Sequence, residues 1–340
     1  MTHPMTHPMT HTHAAPTASI VVPAFNAEAT LGETLASLRL QTLSDLEIIV
    51  VDDGSTDQTA QIAAKIAAAD PRVRLIRQAN RGLAGARNSG IAAARASFIG
   101  FCDADDHWAP GKLAAHVAHL EANPHVGLSF AGSLLMTESG APMRRAQRPR
   151  LKAIGATHVF KRNPVGNGSV PVMRREALAA LAWRPAQERE RDWVFDETFR
   201  QSEDIECWLR LALTTDWEIE GIPGLLTRYR ITSGGLSAAT ERQYAAWERM
   251  VEKLTPLDPH FFARHAPAAR AYQLRYLARR AISDGRGAEA RRLLRRALLC
   301  SRRPLIEEPL RSAVTIAAAL LVGGPLGRRL HRAATRPASA

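Results

Sequence analysis

The first hundred residues alternate between short apolar runs and longer amphipathic stretches. Four runs, at residues 20–23, 47–51, 73–76 and 98–102, are nearly continuous in apolar character. Such runs are typical of strands that are buried on both faces of a parallel sheet. The stretches between them carry apolar residues at helical spacing. This alternation predicts an α/β fold with right-handed crossovers, in which helices flank a doubly wound, mixed but mainly parallel sheet.

The start of two helices can be predicted from capping residues. Thr30 and Glu33 have the spacing of a capping box at the start of the first helix. Ser202 is placed to cap a helix that ends near residue 213 and carries Glu203 and Asp204 in its first turn. Between these helices we expect a helix at 111–121, a strand at 126–131 and basic loops at 144–152.

The chain divides into three predicted regions. Residues 1–17 repeat Met-Thr-His-Pro and are expected to be a disordered tail. Residues 18–237 form the α/β domain, with a nucleotide-binding half at 18–110 and an acceptor-side half at 111–237. Residues 238–340 are predicted to be a basic helical region that contains a helical hairpin at 272–299.

The positive charge is concentrated in the C-terminal region. The net charge is +12, and residues 1–240 hold 25 basic and 25 acidic side chains, whereas residues 241–340 hold 20 and 8. Arginines interleaved with leucines at 291–296, followed by an apolar segment at 313–326, suit a helix on an anionic membrane surface. A solvated helical face is the alternative.

Cysteine usage and hydropathy favour a cytoplasmic protein. Cys102, Cys207 and Cys300 are odd in number and widely spaced, so the sequence indicates neither a disulfide framework nor a cysteine metal site. It contains no apolar run of about 18 residues, so no transmembrane helix is predicted. Peripheral attachment to the cytoplasmic face of the membrane is compatible with both observations.

Polar and acidic residues follow three of the predicted strands. Asn26 follows the first, Asp52 and Asp53 end the second, and the cluster 103–106 follows the fourth. Ligands of doubly wound sheets bind beyond the carboxyl ends of the strands. Grouped carboxylates repel each other unless a cation lies between them. A hard divalent ion, Mg²⁺ or Mn²⁺, suits such oxygen ligands and leaves positions free for phosphates. A solvated acidic turn is the alternative.

Five motifs in one order resemble the family 2 glycosyltransferases, whose nucleotide-binding half has the GT-A fold. The resemblance covers roughly residues 18–235. The motifs are Ser-Ile-Val-Val-Pro-Ala-Phe-Asn at 19–26, Val-Asp-Asp-Gly-Ser-Thr-Asp at 51–57, Arg-Gly-Leu-Ala-Gly-Ala-Arg-Asn at 81–88, Asp-Ala-Asp-Asp at 103–106 and Ser-Glu-Asp at 202–204. The resemblance implies an inverting transfer of a sugar from a nucleotide-sugar donor to a hydroxyl of a glycan or lipid-linked acceptor, as in cell-surface polysaccharide synthesis. Uracil is the expected base of the donor.

The resemblance also implies roles for individual residues. Nucleotide-sugar binding is expected of Pro23, Ala24, Asn26, Asp52, Asp53, Arg87 and Asp103. Asp103 and Asp105 match the DXD motif, and the metal is expected on Asp103, Asp105 and Asp106. Asp204 is the expected catalytic base, with Glu203 orienting it. The α-helix dipole would favour acidic residues at these positions in any protein, and would lower the pKa of Asp204.

The chain departs from the family pattern in one place. Relatives often carry a histidine two residues after the pair Tyr229-Arg230, where this chain has Thr232. The loop 233–235 is therefore a candidate for phosphate contacts.

Three other classes of protein compete with this interpretation. A sugar nucleotidyltransferase is disfavoured, because no glycine-rich loop follows residue 23. A basic nucleic-acid-binding protein is disfavoured by the neutral first 240 residues, and a non-catalytic relative is disfavoured by the complete acidic motifs.

Overall fold

The computed structural model describes residues 15–231 and 240–322. Within these residues, the strands are Ala18–Ala24 (β1), Leu46–Asp52 (β2), Val73–Arg77 (β3), Phe98–Phe101 (β4), His107–Trp108 (β5), Val126–Met136 (β6), Pro142–Gln147 (β7), Val172–Arg174 (β8) and Glu218–Arg230 (β9). The helices are Leu31–Arg39 (α1), Thr59–Ala69 (α2), Gly82–Ala93 (α3), Lys112–Ala122 (α4), Ala156–Arg162 (α5), Arg175–Ala180 (α6), Glu203–Thr214 (α7), Thr240–Leu254 (α8), Pro259–Ser283 (α9), Gly287–Cys300 (α10), Arg303–Glu307 (α11) and Pro309–Leu321 (α12).

All the described strands join one mixed sheet in the order β3-β2-β1-β4-β8-β6-β9-β5, with β7 beside β6. The first four strands are parallel, and β6 is parallel to β9. β8, β7 and β5 run antiparallel to their neighbours. The predicted fold class is confirmed, and each of the four apolar runs forms a strand.

Both faces of the sheet are covered, which explains why the strand sequences are apolar at consecutive positions. Val21, Ile49 and Phe101 point into one core cluster, while Ile20 and Ile48 point into the other. Every residue of β1 and β2 is buried. Each fully buried aliphatic side chain contributes roughly 1.5–3 kcal/mol relative to its exposed state, so these strands anchor the domain.

The register of the central strands brings the polar strand ends together. Ala24 lies opposite Asp52, and Val21 lies opposite Phe101, so β1 is flanked at its carboxyl end by the residues that follow β2 and β4. α1 and α2 begin after the loops that follow the ends of β1 and β2. The turns at 25–30, 52–57 and 102–106 therefore lie together at the predicted ligand-binding edge of the sheet, which we call the cleft.

Two predicted helix caps do not form. Thr30 makes no cap hydrogen bond, because its hydroxyl donates to the carbonyl of Ala104 instead, and Glu33 pairs with Arg230. Ser202 is the residue before α7, but its backbone is left-handed, with φ of 67°, and its side chain does not cap the helix. Both residues lie at the cleft, where contacts between distant segments replace the local ones.

The expected basic loop at 144–152 was wrong in part, because residues 142–147 form strand β7 on the edge of the sheet. β7 pairs with β6 through a hairpin that continues the sheet beyond the predicted strand end at residue 131. Its residues are mostly exposed, so they lack the apolar alternation by which strands are recognised in a sequence.

The C-terminal helices pack onto the α/β domain. Trp247 of α8 stacks on Phe160 of α5 with ring centroids 5.5 Å apart, and Phe262 of α9 meets the same ring at 5.2 Å. The predicted hairpin is formed by α9 and α10, which share a small core with α12. One continuous core therefore crosses the expected domain boundary at 237/238.

Residues 1–14 of the expected tail lie outside the described residues, and Thr17 at its end hydrogen-bonds Asp45.

Candidate active site

The acidic turn after β4 is held in place by backbone contacts from two directions. Cys102 N–H donates to the carbonyl of Val21 at 3.0 Å, which continues the pairing of β4 with β1. The hydroxyls of Thr30 and Thr34 donate to the carbonyl of Ala104 at 2.8 and 2.9 Å. The turn therefore has a fixed position relative to α1 and β1.

Arg87 connects the acidic turn to the Glu-Asp motif at the start of α7. Its guanidinium donates to Asp103 Oδ1 and to Glu203 Oε1, both at 2.8 Å. Arg87 is 1% exposed. Burial acts to lower its pKa, but Asp103 and Glu203 outweigh burial and raise the pKa above its usual value. Each terminal nitrogen of Arg87 donates one hydrogen bond to a carboxylate in this arrangement, and the expectation that Arg87 faces the nucleotide stays a prediction.

Asp204 lies in the same pocket, next to Glu203. Burial and the neighbouring Glu203 raise the pKa of Asp204 from 3.8 to about 7, although Arg87 acts in the opposite direction. The expectation that the helix dipole lowers this pKa is therefore wrong in sign, because burial and the adjacent carboxylate are the larger effects. A carboxylate with a pKa near neutrality is a competent general base.

Asp105 and Asp103 have the character of metal ligands. Burial and the neighbouring Asp103 raise the pKa of Asp105 to about 6, so the two carboxylates repel each other across the turn. A divalent cation would relieve this repulsion, and hard cations prefer such oxygen ligands. The residues present therefore fit the expected Mn²⁺ or Mg²⁺. The three aspartates of the turn do not form a preassembled set, since the described group with three converging ligand atoms is His125, Glu218 and Glu220.

Asp106 has a different environment from the other two aspartates. It is fully buried, and its Oδ1 accepts a hydrogen bond from the backbone N–H of Arg230 at 2.9 Å. Burial and the nearby Asp105 raise its pKa well above the usual value. This geometry gives Oδ1 of Asp106 a structural contact inside the turn, whereas its Oδ2 is buried without a hydrogen-bond partner among the described residues. The expected role of Asp106 as a metal ligand stays a prediction.

Arg230, at the end of β9, links the acidic turn to α1 and to the loop that contains Glu138. Its side chain donates to the carbonyl of Asp105 at 2.8 Å, to the carbonyl of Glu138 at 2.7 Å and to Glu33 at 3.0 Å. The sequence analysis noted Arg230 only as part of a motif and missed this role. Thr232, which replaces the histidine of relatives, and the loop 233–235, which is the candidate for phosphate contacts, lie outside the described residues.

The loop 167–169 also contacts the acidic turn at 103–106. Ser169 Oγ accepts the backbone N–H of Asp103 at 2.9 Å. The carbonyl of Ser169 accepts the ammonium of buried Lys112 at 2.6 Å. Burial lowers the pKa of Lys112 to about 7. A Cβ on Gly168 would lie 1.9 Å from a guanidinium nitrogen of Arg87, so only glycine fits there. Sequence reasoning did not single out Lys112, Gly168 or Ser169.

Asp53 anchors the loop that leads into α3. Its Oδ1 accepts from Gln78 Nε2 at 2.6 Å and from the N–H of Arg81 at 2.8 Å, and its Oδ2 accepts the N–H of Gly82 at 2.8 Å. Asp52 instead accepts the N–H of Ser55 at 3.1 Å within its own turn. Both carboxylates are almost fully buried at the end of β2.

The end of β1 presents an aromatic side chain to solvent. Pro23 and Ala24 are buried, and Phe25, the next residue, is 52% exposed. Asn26 has a left-handed backbone, with φ of 48°, and its side-chain oxygen accepts the N–H of Thr56 at 2.9 Å. The structure thus places Phe25 at the edge of the cleft, beside the turns that follow β1 and β2. An exposed aromatic directly after a buried strand was the available signal in the sequence.

The fold is of the GT-A type, and solved structures share it. TarS residues 1–349 from S. aureus, in complex with UDP-GlcNAc, has a TM-score of 0.54 at 18% identity over 83% of this chain and 89% of that one. The mannosyltransferase PcManGT from Pyrobaculum calidifontis, in complex with GDP-Man and Mn²⁺, has a TM-score of 0.55 at 21% identity over 91% and 87%. At these identities the likeness establishes the fold alone.

Residues 19–181 match the family model described as glycosyl transferase family 2. The Bacillus subtilis protein EpsE is 31% identical over 200 residues, which are 58% of this chain and 67% of EpsE. The succinoglycan biosynthesis protein ExoO of Rhizobium meliloti is 28% identical over 94% of this chain and 88% of its own. The chain belongs to glycosyltransferase family 2.

Another relative matches a shorter part of this chain. The uncharacterized glycosyltransferase EpsJ of Bacillus subtilis is 52% identical over 92 residues, which are 27% of each chain. The chain thus matches only about a quarter of that relative's length. The activity and substrates of the whole protein are therefore argued from the site.

Proposed function

We propose that the protein is an inverting, metal-dependent glycosyltransferase that moves a sugar from a nucleotide-sugar donor to a hydroxyl of a glycan or lipid-linked acceptor. The observation that carries this proposal is the Arg87 bridge. It joins Asp103 of the acidic turn to Glu203 at the start of α7, and Asp204 is the residue after Glu203. Family membership favours this activity over that of a nucleotidyltransferase.

Asp204 is the general base of the proposed reaction. Its carboxylate accepts the proton of the acceptor hydroxyl while that oxygen attacks the anomeric carbon from the side opposite the leaving diphosphate. The pKa near 7 balances basicity against the fraction of ionised enzyme at neutral pH. Glu203 is bound to Arg87, so it orients the first turn of α7 and does not compete for the proton.

Asp103 and Asp105 are the proposed metal ligands, and Asp106 is proposed to fix the turn that carries them. Bound there, Mn²⁺ or Mg²⁺ would act as a Lewis acid that neutralises charge on the departing nucleoside diphosphate. Arg87 holds Asp103 in place from the protein side. It therefore acts on the diphosphate site through Asp103 and makes no direct phosphate contact in this arrangement.

Phe25 and Asp53 are the proposed contacts of the nucleotide base. Phe25 offers an exposed ring for stacking at the end of β1, next to Asn26. A carboxylate has about four acceptor positions, and Asp53 uses three of them for Gln78, Arg81 and Gly82. The remaining position can accept an N–H of a base. Uracil is the proposed base, as the family resemblance implies, and Pro23, Ala24 and Asp52 form the wall behind it.

The C-terminal helices are proposed to rest on an anionic membrane surface. Leu299 is 87% exposed and Ile306 is 76% exposed, and Arg302 and Arg303 lie between them in the sequence. Exposed apolar side chains next to arginines favour a lipid–water interface. Within the described residues, no helix combines the length and apolar character needed to cross a membrane.

A screen of nucleotide sugars with and without Mn²⁺ tests the proposed activity. We expect release of the nucleoside diphosphate from one donor, dependent on Mn²⁺ or Mg²⁺ and abolished by EDTA. Asp105→Asn should reduce metal affinity, and Glu121→Gln, which alters an exposed carboxylate of α4, is the matched control. A donor turned over equally well in EDTA would contradict the metal assignment, and binding of no nucleotide at all would contradict the function.

A further inference from the structure

Lys112, the first residue of α4, has a fully buried side chain that pairs with no carboxylate in the described part of the chain. Its ammonium donates to the carbonyl of Ser169 at 2.6 Å and to Thr227 Oγ1 at 2.8 Å. The same group lies 4.0 Å from the centroid of the Trp108 ring. These contacts are all with neutral groups.

A lysine is an unfavourable choice at this position for two reasons. A buried ammonium costs stability when no carboxylate compensates its charge. The first turn of a helix also disfavours a cation, because the N-terminal end of the helix dipole is positive. Methionine, an uncharged side chain of similar length, would fill the same space without these costs. The hydrogen bonds that the amine donates therefore point to a function for Lys112.

Ser169 is the residue through which Lys112 reaches the acidic turn. Its carbonyl accepts from the Lys112 ammonium and, at 2.9 Å, from the indole N–H of Trp108, so both lone pairs of this oxygen are used. Its hydroxyl oxygen accepts the backbone N–H of Asp103 at 2.9 Å. Lys112 and Trp108 thus fix the backbone of Ser169, and Ser169 fixes the backbone of Asp103.

Thr227 holds the Lys112 ammonium from the side of the sheet. It lies on β9, opposite Trp108 of β5, and it is fully buried. The ammonium therefore joins three segments that are distant in the sequence: the start of α4, the loop 167–169 and β9. A side chain that cannot donate hydrogen bonds would leave this loop joined to α4 by packing alone.

The position of Asp103 determines where its free oxygen points. Arg87 donates to Oδ1 of Asp103 at 2.8 Å, whereas Oδ2 has no hydrogen bond in the described residues. Ligands must be held within about 0.5 Å of their productive position to bind a metal well. The N–H contact with Ser169 and the side-chain contact with Arg87 together restrict Oδ2 in this way.

We propose that Lys112 is a positioning residue for the divalent metal: it fixes Ser169 and, through Ser169, the backbone of Asp103, so that Oδ2 of Asp103 is held ready for the ion. The inference rests on the proposed function, because it takes Asp103 as a metal ligand. Lys112 acts through Ser169 and is not itself a ligand.

The affinity of the protein for UDP, measured by calorimetry in Mn²⁺ and again in EDTA, tests this role without any catalysis. The ratio of the two affinities reports the contribution of the metal. We expect Lys112→Met to lower this ratio about tenfold, as is typical when a group that orients a metal ligand is removed. Affinity for UDP in EDTA should not change. The midpoint of urea unfolding should stay the same or rise, because a buried charge is lost.

Arg174→Met is the matched control for the loss of a cation that donates to main-chain carbonyls. Arg174 donates to the carbonyls of Val126, Leu120 and Asn123 around the end of α4, and it lies opposite Phe98 at the start of β4, away from the acidic turn. This variant should lose stability and keep the ratio within about twofold of the wild type.

Ser169→Ala tests the route from Lys112 to Asp103. It removes the acceptor of the Asp103 N–H and should also lower the ratio. Because both residues act on the metal through the same contact, the double variant should lose no more than the larger of the two single losses. A double variant whose loss is the product of the single losses would overturn the route through Ser169.

Two further outcomes would overturn the inference. One is a ratio that Lys112→Met leaves at the wild-type value, and the other is a loss of stability in Lys112→Met at least as large as in Arg174→Met, which would assign Lys112 to folding. Wild-type protein that binds UDP equally tightly in Mn²⁺ and in EDTA would instead contradict the proposed metal site, and the inference with it. Failure of the proposed function is therefore recognised in the wild type, before any variant is made.

Discussion

Arg87 and Asp204 show how single residues at this site depend on contacts from distant parts of the chain. Arg87 lies on α3, and its two carboxylate partners belong to the turn after β4 and to α7. Removing one partner of such a buried ion pair leaves an uncompensated charge, which typically costs about 3–5 kcal/mol. The position of Asp204 therefore depends on the ion pair between Arg87 and Glu203, although Asp204 is not part of that pair.

Replacement of Asp204 by Asn should separate catalysis from donor binding. We expect kcat to fall about 10²- to 10⁴-fold, because the base is lost, while affinity for UDP with Mn²⁺ is retained. In the wild-type protein kcat/KM should rise with pH through about 7 and then level off, as Asp204 ionises. A variant that keeps more than a tenth of wild-type kcat would contradict the assignment of the base.

The same substitution should also change stability in a pH-dependent way. Since the pKa of Asp204 is raised from 3.8 to about 7, the folded protein retains a proton between these values that the unfolded chain has lost. The free energy of unfolding of the wild type therefore decreases as the pH rises from about 4 to 7. Asp204→Asn removes this decrease. Urea denaturation should show a stabilising effect of the variant that is larger at pH 8 than at pH 4.

At the scale of elements, the loop 167–169 is fitted between α3 and the acidic turn. Gly168 lies against Arg87, and Ser169 binds both Asp103 and Lys112. In this half of the domain the sequence predicted α4, the first part of β6 and α7, because their apolar patterns are local, but not β5, β7, β9, α5 or α6. It predicted neither the short β8 nor this loop, since their conformation depends on contacts with residues about 60 to 80 positions away in the chain.

Gly168→Ala should weaken metal and donor binding. The new methyl group would overlap a terminal nitrogen of Arg87, which cannot move aside without breaking its bonds to Asp103 or Glu203. We expect a loss of stability of about 1–3 kcal/mol and lower affinity for UDP with Mn²⁺. Gly111→Ala is the control, because nothing lies within 4 Å of its added Cβ. Equal behaviour of the two variants would show that the close approach at Gly168 has no consequence.

At the scale of the whole molecule, the C-terminal helices share the core of the α/β domain through Phe160, Trp247 and Phe262. A deletion after residue 237 would therefore expose apolar core as well as remove the basic surface. Membrane contact is better tested with surface substitutions, which leave the core intact.

Replacement of Leu299 and Ile306 by Ser should reduce flotation with phosphatidylglycerol vesicles. Both side chains are exposed on the C-terminal helices, so the change should leave folding intact while it removes apolar surface from the lipid interface. Leu40→Ser is the control, because Leu40 is 71% exposed at the end of α1, in the α/β domain. Binding should also weaken as salt is added. Unchanged flotation of the double variant would contradict the proposed membrane surface.

The sequence by itself determined the α/β fold class, the first four strands, the positions of the acidic motifs and the family, because these depend on short apolar runs and on motifs whose spacing is read directly. The tertiary structure alone decided that Arg87 bridges two acidic motifs, that Asp106 is buried and that the pKa of Asp204 is raised. Burial and charge at a residue are set by neighbours that are distant in the sequence, so no local pattern records them.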